Sequence, residues 1–236
     1  MIKLTFIAVW LSAFMMSCRD NSKTISHSNQ LEVQIEKDSS KIDIADLPIN
    51  IDSTDYLIHP IGYISEYNSR FSSYKSRSAY TSYSLSRYTN FSIKGTFSNI
   101  KFQQINSEQL TSLTDKIIEI TSIHFLEDLR QQTELQLLVY TIRGTDTNKD
   151  AKLNSKDVET LYISDIGGKN LKKLTPNLAQ IVDWKLIPQL KQLYFKSISD
   201  SNSNGEFDKN DTINYQYVNL EDKTLTVKNY DPMKRL

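Results

Sequence analysis

The last quarter of the chain alternates apolar runs with runs of turn-forming residues. The apolar runs lie at 181–187, 193–198, 213–218 and 224–227 and are rich in β-branched and aromatic side chains. The segments between them carry Asn, Asp, Ser, Pro and Gly, each of which favours turns. This pattern predicts four consecutive strands.

The same pattern recurs upstream when the chain is compared with itself. With Asp146 placed on Asp200, the segments 138–140, 161–166 and Leu171 meet 192–194, 215–220 and Leu225. A third copy appears when Ile100 is placed on Leu161: the segments 100–105, 110–114 and 123–126 then align with 161–166, 171–175 and 184–187. In this alignment Trp184 matches Ile123, so Trp184 is predicted to be a core residue. Such periods indicate one repeated supersecondary unit. The segment between Leu126 and Leu137 has no full counterpart in the last repeat, which predicts a longer hairpin loop there.

Residues 161–175 (LYISDIGGKNLKKLT) resemble the outer strands of a TolB-type β-propeller blade, which typically read as an aliphatic-Tyr-Val strand, an Asp-Gly-Gly turn and a final Leu-Thr. The resemblance covers about residues 97–228, although Ile-Pro-Gln-Leu stands where the family has Ser-Pro-Asp-Gly. It implies four strands per unit. We therefore expect an all-β domain over residues 54–236, with 56–64 as a strand. Its propeller-blade-like antiparallel sheets should number about three and form an open or incomplete array.

Two hairpins of this repeat carry oxygen-rich segments at 146–157 (DTNKDAKLNSKD) and 200–211 (DSNSNGEFDKND). A calcium loop of the EF-hand type supplies oxygens from positions 1, 3, 5, 9 and 12 and from the backbone carbonyl at position 7. The first loop's predicted ligands are Asp146, Asn148, Asp150, Lys152, Asn154 and Asp157, and the second loop's are Asp200, Asn202, Asn204, Glu206, Asp208 and Asp211. Lys152 and Glu206 would contribute through their carbonyls.

The second loop fits the calcium motif more closely than the first. Gly205 stands at position 6, where the backbone turns sharply, but Asp211 replaces the usual Glu at position 12, which predicts weaker binding than in a cytosolic sensor. In the first loop Ala151 replaces the glycine, so it must adopt an unfavourable backbone angle or distort the loop. The alternative is that both segments are simply turns.

The N-terminal segment has the pattern of a secretory signal: a basic opening, an apolar run at 4–16, and Ser17 before Cys18. The segment resembles the lipobox of bacterial lipoproteins, which implies a signal peptide over 1–17 and a lipid on Cys18 that anchors the protein to a membrane. The expected location is the cell envelope, at the outer membrane, on its periplasmic or surface side. The alternative is an ordinary signal peptide with an incidental cysteine. Residues 18–53 are predicted to form a flexible tether whose later, alternating part is an edge strand or extended linker.

The net charge and the spacing of the histidines bear on which classes of function the sequence favours. The formal net charge is zero, so no global field attracts nucleic acid. His27, His59 and His124 are far apart, with no catalytic spacing. The Tyr- and Ser-rich stretch 63–91, with its cations, would serve as a glycan-binding platform or only as a mobile loop.

The expected function is a calcium-binding lipoprotein of the envelope. It would be a non-enzymatic binding or scaffolding module, with calcium in a structural role and an envelope protein or glycan as partner. Two alternatives stay open: a dockerin-like docking module, whose calcium loops also carry Asp at position 12, and an envelope hydrolase that acts on glycans or peptides.

Overall fold

The computed structural model describes residues 22–27, 35–36, 41–65, 86–89 and 91–234. The predicted signal peptide, Cys18 and most of the Tyr-rich stretch lie outside them. The strands are β1 (Lys41–Ala45), β2 (Ile49–Asn50), β3 (Tyr56–Ser65), β4 (Ser86–Thr89), β5 (Ser92–Gln104), β6 (Leu110–Ser112), β7 (Glu119–Phe125), β8 (Leu137–Arg143), β9 (Thr160–Asp165), β10 (Lys172–Lys173), β11 (Ala179–Ile187), β12 (Gln192–Ser199), β13 (Thr212–Asn219) and β14 (Val227–Asn229). A helix, α1 (Glu127–Thr133), joins β7 to β8, and a single 3-10 turn at Pro188–Leu190 joins β11 to β12.

The strands form two antiparallel sheets. In the larger sheet the order is β1-β3-β5-β7-β8-β9-β10, with β2 on β3 and with β4 and β6 on β5. The smaller sheet has the order β11-β12-β13-β14. Neither order returns to its first strand within the described residues, so the sheets are open. A mostly β fold of open antiparallel sheets is thus confirmed, with one α-helix among the described residues.

The larger sheet is continuous because β5 is long. The C-terminal half of β5 pairs with β3 and β6, and its N-terminal half pairs with β7. One strand therefore joins two predicted units, and two hydrogen-bonded sheets form among the described residues instead of about three. The predicted strand at 56–64 is confirmed as β3.

The segment predicted as a longer hairpin loop contains helix α1. Arg130 pairs with Glu127 one turn earlier, and Leu129 is fully buried beneath the helix. Glu134 ends the helix in the left-handed conformation, with φ of 62°. The loop prediction was wrong because the local pattern is too short to indicate a helix, whereas the buried position of Leu129 depends on tertiary packing.

One further boundary differs from the sequence-based expectation, and one open alternative is decided. The last strand begins at Val227 and not at Thr224, because Asp222 accepts backbone hydrogen bonds from Thr224 and Thr226 and holds a turn there. In the predicted tether, β1 pairs with β3 as an edge strand, which decides between the two readings of that segment. Residues 22–27 of the predicted tether also make specific contacts, described below.

The strands β7–β10 and β11–β14 form two successive four-stranded meanders with the same order. In the first, Leu138 lies opposite Ser164; in the second, Leu193 lies opposite Val218. Ser164 and Val218 match when Asp146 is placed on Asp200, but the same placement sets Leu138 on Gln192 and not on Leu193.

The alignment of 138–140 with 192–194 was therefore wrong by one position. The reason is that the second meander is one residue shorter between its β12 strand and its acidic loop than the first is between β8 and its loop. The match of Trp184 with Ile123 is confirmed, since their cross-strand partners Phe195 and Tyr140 correspond in the corrected alignment.

The two faces of β8 contribute to two hydrophobic cores. Leu138, Tyr140 and Ile142 point into the first core, with side chains from β3, β5 and β7. Val139 points into the second core, between the first meander and the smaller sheet, with Leu193 and Phe195. The first meander is thus covered on both faces. Its acidic loop, residues 146–157, follows β8, the strand that contributes to both cores.

Candidate functional site

The second acidic loop connects β12 to β13, and its side-chain oxygens turn inward onto the loop's own backbone. Asp200 accepts hydrogen bonds from the N–H groups of Asn204 (3.2 Å) and Gly205 (2.8 Å). Asp211 accepts them from Ser201 (3.0 Å) and Asp208 (2.8 Å). The first and last carboxylates of the motif therefore organise the loop from opposite ends.

The first acidic loop, between β8 and β9, repeats these bonds one for one. Asp146 accepts from Asp150 N (3.2 Å) and Ala151 N (2.7 Å). Asp157 accepts from Thr147 N and Asn154 N, both at 2.8 Å. Each donor and acceptor occupies the same position of the motif as its counterpart in the second loop, so that Ala151 corresponds to Gly205 and Asp157 to Asp211.

The middle ligands of the motif follow the same pattern. Asn148 Oδ1 accepts from Asp150 N at 3.1 Å, and Asn202 Oδ1 accepts from Asn204 N at 2.9 Å. A carboxylate or amide oxygen that accepts one backbone hydrogen bond keeps acceptor capacity for a cation. Within the described residues, no group of three or more His, Cys, Asp or Glu is close enough together to hold a metal ion. Calcium ligation by these loops therefore stays a prediction.

The backbone of both loops is left-handed at positions 4 and 6. In the first loop Lys149 and Ala151 have φ of 61° and 63°, and in the second Ser203 and Gly205 have 58° and 85°. Ala151 thus adopts the unfavourable angle and does not distort the loop, which confirms one of the two expected outcomes. For a residue with a Cβ this conformation costs about 1–2 kcal/mol.

The N-terminal strap, residues 22–27, lies between the two loops and bonds to both. Thr24 N donates to Lys156 O (3.0 Å) and Ser26 N to Thr147 O (2.7 Å), in the first loop. Between these two contacts Ile25 N donates to Gly205 O (2.9 Å), in the second loop. A Cβ on Gly205 would lie 2.8 Å from Ile25 O, so the glycine permits the close approach of the strap.

Side chains of the strap strengthen this junction. Ile25 is 5% exposed, and His27 Nε2 lies 2.6 Å from Asp200 Oδ2. Burial acts to raise the pKa of Asp200, but hydrogen bonds from His27 and Gly205 outweigh it and the pKa is lowered. The second loop's first predicted ligand is therefore ionised and contacts the strap directly.

At the first loop the strap joins a chain of charged side chains that are buried or partly buried. Lys23 Nζ donates to Asp157 O (3.0 Å) and pairs with Glu159, which also pairs with Arg143. Arg143 pairs in turn with Glu119, a residue 5% exposed. Burial lowers the pKa of Lys23 and raises that of Asp157. Asp157 is fully buried, so its negative charge needs compensation from nearby donors or a cation.

The other residues singled out in the sequence lie in hydrogen-bond or packing contacts. His59 lies in β3 and contacts Gln103 (3.0 Å), and His124 lies edge-on to Trp184 at 5.1 Å between ring centroids. Trp184 packs against the second core, as predicted. At the margins of the Tyr-rich stretch, Tyr63 donates to Glu119 (2.8 Å) and Phe91 packs on the first core.

A cavity of about 540 Å³ opens beside the first loop. Its lining includes Lys41, Tyr63, Ile117, Glu119 and Leu153, and the Lys41 ammonium lies 3.9 Å above the Tyr63 ring. No sequence pattern indicated this cavity, because its walls come from segments far apart in the chain. The strap was missed for the same reason.

Comparison with known proteins gives no match: no protein-family model matches the chain, and no curated protein matches it. Within the described residues, no helix has the length and apolar composition needed to cross a membrane.

Proposed function

We propose that this protein is a calcium-binding lipoprotein of the cell envelope, a non-enzymatic binding or scaffolding module in which calcium has a structural role. The observation that carries the proposal is the matched pair of loops, each folded by the same carboxylate-to-backbone hydrogen bonds. A turn-forming composition alone does not require two loops in separate hairpins to agree bond for bond.

The position of the loops supports a structural role for the ion. One loop belongs to each sheet, and the strap bonds to both of them. Calcium bound in each loop would compensate the charge of that loop's carboxylates, including the buried Asp157, whose pKa is raised by burial. An ion at about 100 times its dissociation constant stabilises the folded state by about 2.7 kcal/mol.

The proposed architecture is a short, open array of TolB-type blades, and the two successive meanders with equal strand order support it. A dockerin-like module is less well supported, because dockerin loops are followed by helices, whereas β9 and β13 follow the loops here.

The proposed anchor is a lipid on Cys18. Mass spectrometry of the mature protein should find diacylglyceryl-modified Cys18 at its terminus, and Cys18→Ser should abolish membrane retention. A Cys18→Ser protein that stayed in the membrane fraction would contradict the lipid anchor.

Calcium titration calorimetry on the protein from Arg19 onward tests the proposal. We expect two binding events in the parent. Asp200→Ala with Asp211→Ala should leave one event, from the first loop. Asp183→Ala, which removes an exposed carboxylate outside the loops, should leave both. No heat and no thermal shift with calcium would mean that both loops are turns only.

A further inference from the structure

The outer face of the smaller sheet carries four tyrosines in mutual contact. Tyr194 and Tyr217 lie directly opposite on β12 and β13 and stack at 5.4 Å between centroids. Tyr230 lies edge-on to Tyr194 at 5.3 Å and within 6.1 Å of Tyr215 and Tyr217. We call this surface the tyrosine face: Tyr194, Tyr215, Tyr217 and Tyr230. The rings restrain one another, so the face is a preformed aromatic platform.

Each strand tyrosine of this face has a lysine as its cross-strand neighbour. The register pairs Lys185 with Tyr194, Lys196 with Tyr215, and Lys228 with Tyr217. Residues directly opposite on one face of a sheet have side chains in reach of each other. Asp183 is the one acidic residue that the register of the described strands places opposite a member of this set, Lys196. Three lysines thus outnumber one aspartate, so the platform favours anions.

The equivalent face of the first meander has a different chemistry. In the corrected register, Val139, Leu161 and Ile163 correspond to Tyr194, Tyr215 and Tyr217. The three aliphatic residues are at most 1% exposed and are covered by the smaller sheet. The tyrosine face has no further sheet upon it among the described residues, and Tyr230 is 37% exposed. The first meander is covered by the smaller sheet at these positions, whereas the second meander carries tyrosines with neighbouring lysines there.

We propose that the tyrosine face binds an anionic polysaccharide. Flat aromatic rings stack on the C–H faces of sugar rings, and a lysine beside each strand tyrosine reaches carboxylate or sulfate groups carried by the same polymer. If this face bound a second copy of the chain or another apolar sheet, we would expect aliphatic side chains here, like those at the matching positions of the first meander. The inference rests on the proposed function, since it gives that binding module the chemical class of its ligand.

Affinity electrophoresis of the full-length protein in nonionic detergent tests this inference. Native gels contain polygalacturonate, its fully methyl-esterified form, which keeps the rings and removes the charge, or no polymer. All gels contain EDTA, and circular dichroism checks that the protein is folded in it. Binding by the face is thus measured apart from any calcium binding by the loops, which the calorimetry reports independently.

We expect retardation by polygalacturonate and little by its ester. Lys196→Gln with Lys228→Gln, and separately Tyr230→Ala, should each raise the dissociation constant by about tenfold or more, the effect of about 1.4 kcal/mol. Tyr230→Phe, which keeps the ring, should bind almost as well as the parent. The charge-matched control Lys169→Gln with Lys223→Gln, two exposed lysines in turns, should bind unchanged.

Three results would overturn the inference. One is the absence of retardation by polygalacturonate, and another is equal retardation by the ester. The third is equal binding to double-stranded DNA and polyglutamate with no effect of Tyr230→Ala, which would show general attraction of polyanions to lysines.

Discussion

The two meanders share one strand order but differ in what covers their faces. The first is packed on both sides, against side chains of β3 and β5 on one side and the smaller sheet on the other. The second is packed on one side, where Leu193 and Phe195 enter the second core. The difference shows that strand order follows from the repeated pattern, whereas the residue types at matched positions reflect which face meets another sheet.

The largest expected effect is a difference in stability between substitutions on the two faces of β12. Phe195→Ala should lower the free energy of unfolding by about 3–5 kcal/mol, because Phe195 fills the second core. Tyr194→Ala removes a half-buried outer-face ring and should cost less than Phe195→Ala, with about 0.5–1.5 kcal/mol of the loss from the stacked contact with Tyr217. Urea denaturation followed by circular dichroism measures both losses. Equal losses would show that the outer face is covered as well.

The next prediction concerns the strap that joins the two loops. Ile25→Ala should cost about 2–5 kcal/mol, since the side chain is buried between them. The matched control is Ile42→Ala in β1, where the side chain is 50% exposed, and its cost should be well below that of Ile25→Ala. The same denaturation experiment compares them. An Ile25→Ala protein as stable as the parent would mean that the strap contributes nothing to the junction.

A reciprocal pair of substitutions at position 6 sharpens the comparison of the loops. Gly205→Ala places a Cβ against Ile25 O in a left-handed conformation and should destabilise the protein by about 1–2 kcal/mol or more. Ala151→Gly relieves the same conformation in the first loop and should stabilise it by up to about 1 kcal/mol. Thermal denaturation in EDTA measures the change in stability for both substitutions without bound ions. Changes of the same sign would disprove the equivalence of the two loops.

The smallest expected effect depends on pH at the contact between the sheets. Burial lowers the pKa of His124 below its ordinary value of 6.5, with Asp128 acting to raise it and Lys94 to lower it. The unfolded chain therefore binds a proton at higher pH than the folded protein does, and stability falls as pH drops through 6.5. His124 is partly exposed, so the loss should be a fraction of the ~1.4 kcal/mol that one pKa unit represents.

Comparison with His124→Phe checks this pH effect, because phenylalanine keeps a ring against Trp184 and does not titrate. Denaturation midpoints at about pH 7.5 and about pH 5.5 bracket the ordinary pKa of histidine. The parent should lose more stability over this interval than the variant. A parent that loses no more than the variant would show that His124 does not contribute.

Much of the candidate site could be predicted because its signals are local. The oxygen-bearing residues of 146–157 and 200–211 bond to their own loops, so short-range spacing was enough to locate them. The conformation of Ala151 was also foreseeable, since its place in the motif demands a left-handed residue. The strap and the tyrosine face could not be predicted in the same way. Thr24 and Lys156 are distant in sequence, and Tyr194 and Tyr217 share a face only in the observed register.

The sequence by itself determined the β-rich class, the repeated unit, most strands and the positions of the two acidic loops, because alternation, turn residues and ligand spacing act over a few residues. Only the tertiary structure decided that β5 joins two units into one sheet, that α1 forms over a buried Leu129, and that Leu138 in β8 corresponds to Leu193 in β12. It also decided that residues 22–27 lie between the loops. These features depend on which distant surfaces are buried against each other, and burial is a property of the whole fold.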